Sequence, residues 1–234
     1  MEKFTLEDLE IKYTKNFSTR ARRPRIRFSR NRGFMITVPE SMKDSFDIDS
    51  FLEATSDWLR KRASELEEYK KNTPDRKFVD GEEFEILGEK YELVRGDFRG
   101  HSVEDGKIQI SERYAETAEE TKEAVEKQLR EMARDIFTRK VEMFSEELGV
   151  EYNRIYIRDQ KTKWGSCSGK DNINLNWRLL LGPEKILDYV IAHEVTHLKY
   201  RHHSKKFWDQ VEEMIPDYRD RKRWLEEKSY LLEF

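Results

Sequence analysis

The stretch His193-Glu194-Val195-Thr196-His197 constrains this chain more than any other. It reads H-E-x-x-H. On an α-helix, residues four apart share a face, so both imidazoles project toward one point. That spacing suits two ligands of a Zn²⁺ ion at about 2.0–2.1 Å each. Glu194 follows the first of them, within reach of a proton on a metal-activated water. The flanks predict the helix. Gly182-Pro183 stands before it, and Pro is favoured at the first helical position. Ile186, Leu187, Val190, Ile191, Val195 and Leu198 then recur at helical spacing. Both His therefore lie on a partly buried helix, where unpaired imidazoles are costly.

A catalytic zinc usually has three protein ligands and one open position. The chain has five His, and His202 and His203 follow the motif closely. Ser204 is a good N-cap for a further helix carrying Phe207, Val211 and Met214 on one face. The chain is thus expected to turn near His202-His203 and fold back toward the metal. By spacing alone either His serves. Glu212 and Glu213 are the carboxylate alternatives, and Asp209 or either Glu could instead orient a His ligand.

Composition narrows the class. The 234 residues suffice for one large or two small domains. Charged residues make up 40%, yet the periodic apolar positions argue against disorder. The net charge of −3 points to no particular polyanionic partner. The single cysteine, Cys167, excludes an internal disulfide and fits a reducing compartment. No apolar run approaches ~18 residues and the first residues lack a signal-peptide core, so a cytoplasmic protein with no membrane span is expected.

Residues 11–39 hold Lys12, Lys15 and seven Arg with no acidic residue. Ile26 and Phe28 alternate with Arg25 and Arg27 as in a half-buried strand, Asn31-Arg32-Gly33 reads as a turn, and Phe34 to Val38 as a return strand. The arginines are either a solvated strand face or a nucleic-acid patch around Arg20, Arg22 and Arg23. Residues 47–71 predict one amphipathic helix, with Ile48, Phe51, Leu52, Trp58, Leu59 and Leu66 as its apolar face. Phe84–Ile86 and Tyr91–Val94 flank a hairpin turn, and 107–110 alternate again. Residues 115–148 predict a long scaffold helix stopped at Gly149.

Residues 154–158 and 172–176 alternate like strands. The segment joining them carries Trp164, Ser166 and Cys167. A strand beside a metal helix could bind an extended peptide by β-augmentation. Trp164 then walls the cleft, with Ser166 as a further substrate contact; otherwise Trp164 is core. Cys167 is either a small buried thiol or a fourth, inhibitory ligand.

These segments together resemble the YgjP-like metallopeptidase family, related to the SprT-like and WLM zinc metallopeptidases. The resemblance rests on Gln160-Lys161-Thr162-Lys163-Trp164-Gly165-Ser166-Cys167, Asn172 to Leu179, His193 to Leu198, and His203-Ser204-Lys205-Lys206-Phe207-Trp208. The family's pattern places the third ligand at the His before Ser and the Phe-Trp pair, which matches His203. It implies an α+β fold. A zincin-like unit, with a small sheet and the H-E-x-x-H helix, would follow a β-rich N-terminal region. The boundary is expected between 113 and 114, giving regions 1–113 and 114–234. It also implies zinc-dependent peptide hydrolysis with His193, His197 and His203 as ligands and Glu194 as base, acting on a protein or peptide. The relatives' association with DNA-bound proteins adds DNA as a candidate partner through residues 12–32. The rival readings are a metal-dependent hydrolase of non-peptide amides and a nucleic-acid-binding module with a structural metal. Tyr200 and Tyr218 are candidates for assisting the oxyanion.

Overall fold

Alternation of Ile26 and Phe28 with Arg25 and Arg27 does produce a strand, and it pairs with its expected return strand. In the computed structural model, which describes residues 2–6, 9–29 and 33–234, the chain divides into two compact units, Met1–Thr73 and Pro74–Phe234. The first unit is a four-stranded sheet of order β1-β2-β4-β3 with two helices. Its strands are β1 (Glu2–Leu6), β2 (Leu9–Ser18), β3 (Arg25–Ser29) and β4 (Gly33–Pro39). Strands β3 and β4 are antiparallel, with Ile26 opposite Ile36 and Phe28 opposite Phe34. Because strand side chains alternate, Ile11, Tyr13, Phe34, Ile36 and Val38 all enter one core. Most of the turn expected at Asn31-Arg32-Gly33 lies outside the described residues.

The single helix expected over 47–71 is two, α1 (Ile48–Glu53) and α2 (Ser56–Asn72). The break has a local cause. The Thr55 hydroxyl donates to the Phe51 and Leu52 carbonyls at 3.1 Å each, an alternative to continuing the ladder. Leu52 and Leu59 are still fully buried under the sheet.

The second unit opens with a sheet of order β5-β6-β8-β7: β5 (Glu83–Ile86), β6 (Glu89–Gly96), β7 (Ser102–Glu104) and β8 (Lys107–Ser111). The β5–β6 hairpin turns through Leu87 (φ 52°) and Gly88 (φ 90°). Two successive positive φ values match the twist of tight hairpins. The long helix α3 (Ala118–Leu148) follows. Thr117 and Glu120 form a reciprocal capping box at its start, and Gly149 ends it in the left-handed conformation (φ 66°).

A three-stranded sheet of order β10-β11-β9 comes next: β9 (Arg154–Arg158), β10 (Gly165–Cys167) and β11 (Asn172–Asn176). A 3-10 segment (Trp177–Leu181) leads into α4 (Glu184–Lys199), α5 (Lys205–Met214) and α6 (Tyr218–Lys228). Both sheets, α3 and α4 share one core that includes Phe84, Ile108, Leu129, Phe137, Leu175 and Val195. The Leu87 N–H also donates to the Leu180 carbonyl at 2.8 Å. The boundary expected between 113 and 114 therefore falls inside a unit. Residues 74–113 bury their apolar face against the later helices. The α+β class and the small sheet beside the H-E-x-x-H helix are as expected. No helix among the described residues is long and apolar enough to cross a membrane.

Candidate metal centre

Helix α4 is held on α3 by apolar packing and by a half-buried clamp. Lys140 Nζ meets Glu184 Oε1 at 2.7 Å and Asp188 Oδ1 at 2.6 Å. Val190, Ile191 and Val195 face the core, which leaves His193 and His197 on the flank that α5 approaches. The chain leaves α4 at Tyr200 and reverses over 200–204, where the Ser204 N–H donates to the His202 carbonyl at 2.7 Å. Ser204 then caps α5 through its hydroxyl, as its position predicted. The reversal carries His203 back to α4.

His193, His197 and His203 offer ring nitrogens that all lie within 4.8 Å of one another. His202 is exposed and is not in the cluster. The Nε2 atoms of His193 and His203 are 3.0 Å apart. Two nitrogens on a tetrahedral zinc are separated by roughly 3.3 Å, given bonds of about 2.0–2.1 Å, so the spacing fits a shared cation. His197 Nδ1 lies 3.1 Å from the Tyr200 carbonyl. A proton on that nitrogen donates to the carbonyl and leaves the Nε2 lone pair free, the usual way an outer partner orients a metal-binding His.

Burial tunes the group. It depresses the His193 imidazole to about 3, helped by His197 and His203, so this ring is neutral and able to ligate. Burial also lowers His197. Glu194 is only 6% exposed, and burial pushes its carboxyl up to about 8, with the Cys167 N–H and Lys163 pulling the other way. Its Oε2 has no hydrogen-bond partner among the described residues. An unpartnered buried carboxylate oxygen is costly unless a charge or a reacting proton meets it. Three clustered imidazole nitrogens beside a buried carboxyl are a donor set that a divalent cation satisfies.

Phe207, fully buried, packs its ring 4.9, 4.5 and 4.8 Å from those of His193, His197 and His203. Trp208 stacks on His203 and on Tyr218, at 5.4 Å each. These rings fix the imidazole planes. The Phe-Trp pair was visible in the sequence, but its contact with all three His was not.

Strand β10 completes the site. A Cβ on Gly165 would lie 2.7 Å from Glu194 Cγ and Oε1, so the missing side chain is what admits the carboxyl. Sequence reasoning passed over this residue. The available signal was a glycine in a short strand, which marks close approach of another group. Gly165→Ala meets the movable end of Glu194 rather than backbone. The cheapest response is to swing the carboxyl out of place. Any hydrolytic turnover at this site is therefore expected to fall at least tenfold while bound metal, read by atomic absorption, stays near wild type. Wild-type turnover in this variant would remove Gly165 from the site's construction.

The remaining candidates are placed as follows. Trp164 is half-buried and lines a cavity of about 250 Å³ together with His193 and Glu194. Ser166 points to the opposite face of β10 from Gly165, and its hydroxyl accepts from Asn174 Nδ2 at 3.3 Å, so it is not brought to the triad. Cys167 is half-buried and outside the nitrogen cluster, with burial raising its thiol. Glu212 pairs with Arg219, Asp209 with Lys205, and Glu213 accepts from Gln210, so the sequence-level carboxylate alternatives are spent elsewhere. Tyr218 is buried against Trp208, and Tyr200 contributes its carbonyl. Arg20, Arg22 and Arg23 lie exposed between β2 and β3 in the other unit.

The family profile of the YgjP-like metallopeptidase domain matches residues 22–228. No curated protein matches the chain. Among solved structures, the metallopeptidase zymogen abylysin of Pyrococcus abyssi is 26% identical with a TM-score of 0.37, over 40% of this chain and 95% of that one. The metallopeptidase zymogen jannalysin of Methanocaldococcus jannaschii is 23% identical with a TM-score of 0.37, over 40% and 96%. The profile match runs from before β3 through the His cluster into the last turn of α6, and on that extent the chain belongs to the YgjP-like metallopeptidase domain family.

Proposed function

We propose that this metallopeptidase is zinc-dependent, with His193, His197 and His203 as the ligands and Glu194 as the general base. The carrying observation is the convergence of three His nitrogens next to a buried, half-unpartnered carboxyl. When bound, the cation supplies Lewis-acid polarisation of the scissile carbonyl and makes water a better nucleophile near neutral pH. Three side-chain donors among the described residues leave one tetrahedral position for the reacting molecule, which argues against a closed structural site. Glu194 Oε2 takes the proton of the attacking water and delivers it to the leaving nitrogen.

The peptide rather than a small amide is favoured by β10. The Trp164 carbonyl accepts from Asn176 at 2.8 Å, and the Ser168 N–H donates to Asn172 at 2.9 Å. In an antiparallel ladder the intervening pairing direction alternates, so Gly165 and Cys167 turn their backbone groups to the edge that carries no strand among the described residues. The Cys167 N–H is directed at Glu194. The Gly165 groups and the Cys167 carbonyl are left to pair with an extended chain. Stripping the protein with a chelator is expected to abolish cleavage of a denatured protein substrate. One equivalent of Zn²⁺ should restore it, as followed by mass spectrometry of the products. Undiminished cleavage by metal-free protein would sink the reading.

A second reading concerns the first unit. Among the described residues, Arg20, Arg22, Arg23, Arg25 and Arg27 form no ion pair, whereas Arg62, Arg130, Arg178, Arg201 and Arg219 all do. In register, Arg25 and Arg27 stand opposite Thr37 and Met35, on the sheet face away from the core. Such a surface suits nucleic-acid phosphates, and its binding must weaken with salt through counterion release. Neutralising Arg20, Arg22 and Arg23 together is expected to flatten the salt dependence of duplex DNA binding by about two to three in slope. The thermal midpoint should barely move, because exposed charges contribute little. Absence of binding by wild type at low salt would end the nucleic-acid role and leave the peptidase reading intact.

A further inference from the structure

We propose that the cavity beside the His cluster is a selectivity subsite for one bulky apolar side chain of the substrate, next to the bond cut. The inference rests on the peptidase reading and adds the substrate class. His193 and Glu194 line the cavity themselves, so its occupant is continuous with the reacting group. Its apolar walls are Trp164 before β10, Tyr189 and Val190 on α4, and Leu225 on α6, and Thr162, Lys163 and Gly165 also line it. Tyr189 and Val190 are almost fully buried, and Trp164 and Leu225 pack on the core, so the walls are set by the fold.

Size selects a side chain over a free small molecule. The cavity holds about 250 Å³, below the roughly 300–1,000 Å³ typical of small-molecule sites. Charge selects against cationic side chains. Lys163, exposed and without an ion pair among the described residues, lines the same cavity and repels Lys or Arg. Entry of a charged group between apolar walls also carries an uncompensated desolvation cost. A leucine or phenylalanine side chain meets none of these penalties and buries its surface against the four walls. The edge of β10 runs alongside, so a chain paired with it would present alternate side chains at this depth.

The test separates binding from turnover. Zinc-loaded protein is titrated by calorimetry with N-acetyl hydroxamates of glycine, leucine, phenylalanine, lysine and aspartate. The hydroxamate anchors each at the metal and offers one side chain to the cavity. Leucine and phenylalanine are expected to bind at least tenfold tighter than glycine, and lysine and aspartate no tighter than glycine. Leu225→Trp, which fills the cavity, should erase that preference. Leu225→Ala, which enlarges it, should shift the preference toward phenylalanine. Equal affinities across the series, no binding by any of them, or no response to either folded variant would overturn the proposal. The same preparation is then given a denatured protein, and the cut sites are expected to share an apolar residue at one fixed position beside the scissile bond. A side-chain preference in binding without any peptide cleavage would retain the subsite and refute the peptidase reading instead.

Discussion

Glu194→Gln is expected to yield a folded, metal-loaded protein whose peptide hydrolysis is reduced by about 10²–10⁴-fold, the range that general acid–base catalysis contributes. The fold should tolerate the change for a specific reason. With its pKa pushed up to about 8 by burial, the metal-free carboxyl is mostly protonated at pH 7, and a carboxamide resembles that state in shape and charge. Glu194 is not one of the three clustered nitrogen donors, so zinc content should be unchanged. The loss should appear in kcat more than in KM, because the proton is moved in the transition state and not on binding. Turnover near wild type would remove Glu194 from the mechanism. Loss of zinc along with activity would reassign it as a ligand.

The second large effect separates two adjacent residues. His203→Ala is expected to lower zinc affinity by several orders of magnitude, whereas His202→Ala should leave it near wild type. The physical distinction is the reversal at 200–204. It brings His203 Nε2 to 3.0 Å from His193 Nε2 and stacks its ring on Trp208, while His202 remains exposed and outside the cluster. Competition with a chromophoric chelator measures both affinities. Equal zinc loss in the two variants would mean that the third ligand is misassigned. Trp208→Ala offers a graded control. It removes the stacking partner but no donor, and metal affinity should fall about 10–100-fold, as for other groups that orient ligands from behind.

Much of the second unit is legible because its signals are local. The capping box at Thr117 and Glu120, the left-handed stop at Gly149, and the Ser204 cap each satisfy backbone groups within a few residues. The β5–β6 hairpin is likewise written in Leu87-Gly88. The expected helix over 47–71 failed because amphipathic periodicity continues across Thr55, and only the hydroxyl's bonds to Phe51 and Leu52 reveal the break. The boundary expected between 113 and 114 differs from the division after Thr73 for another reason. Mostly strands give way to a long helix there, but the 74–113 sheet and α3 bury one shared core, and a sequence does not state which apolar face meets which.

The sequence by itself determined the chemistry available. H-E-x-x-H on a helix sets two imidazoles four residues apart, because helical geometry alone places them on one face. The local cap at Ser204 determines that the chain turns near His202-His203. Only the tertiary structure decided what surrounds those groups. Phe207 and Trp208 bracket the imidazoles, Gly165 makes room for the Glu194 carboxyl, and Ser166 faces Asn174 and not the site. These are contacts between segments tens of residues apart, fixed by packing of α4 against β10 and α5. Burial of Glu194, and with it the raised pKa, has the same origin: it is a property of the assembled core and not of any short stretch of residues.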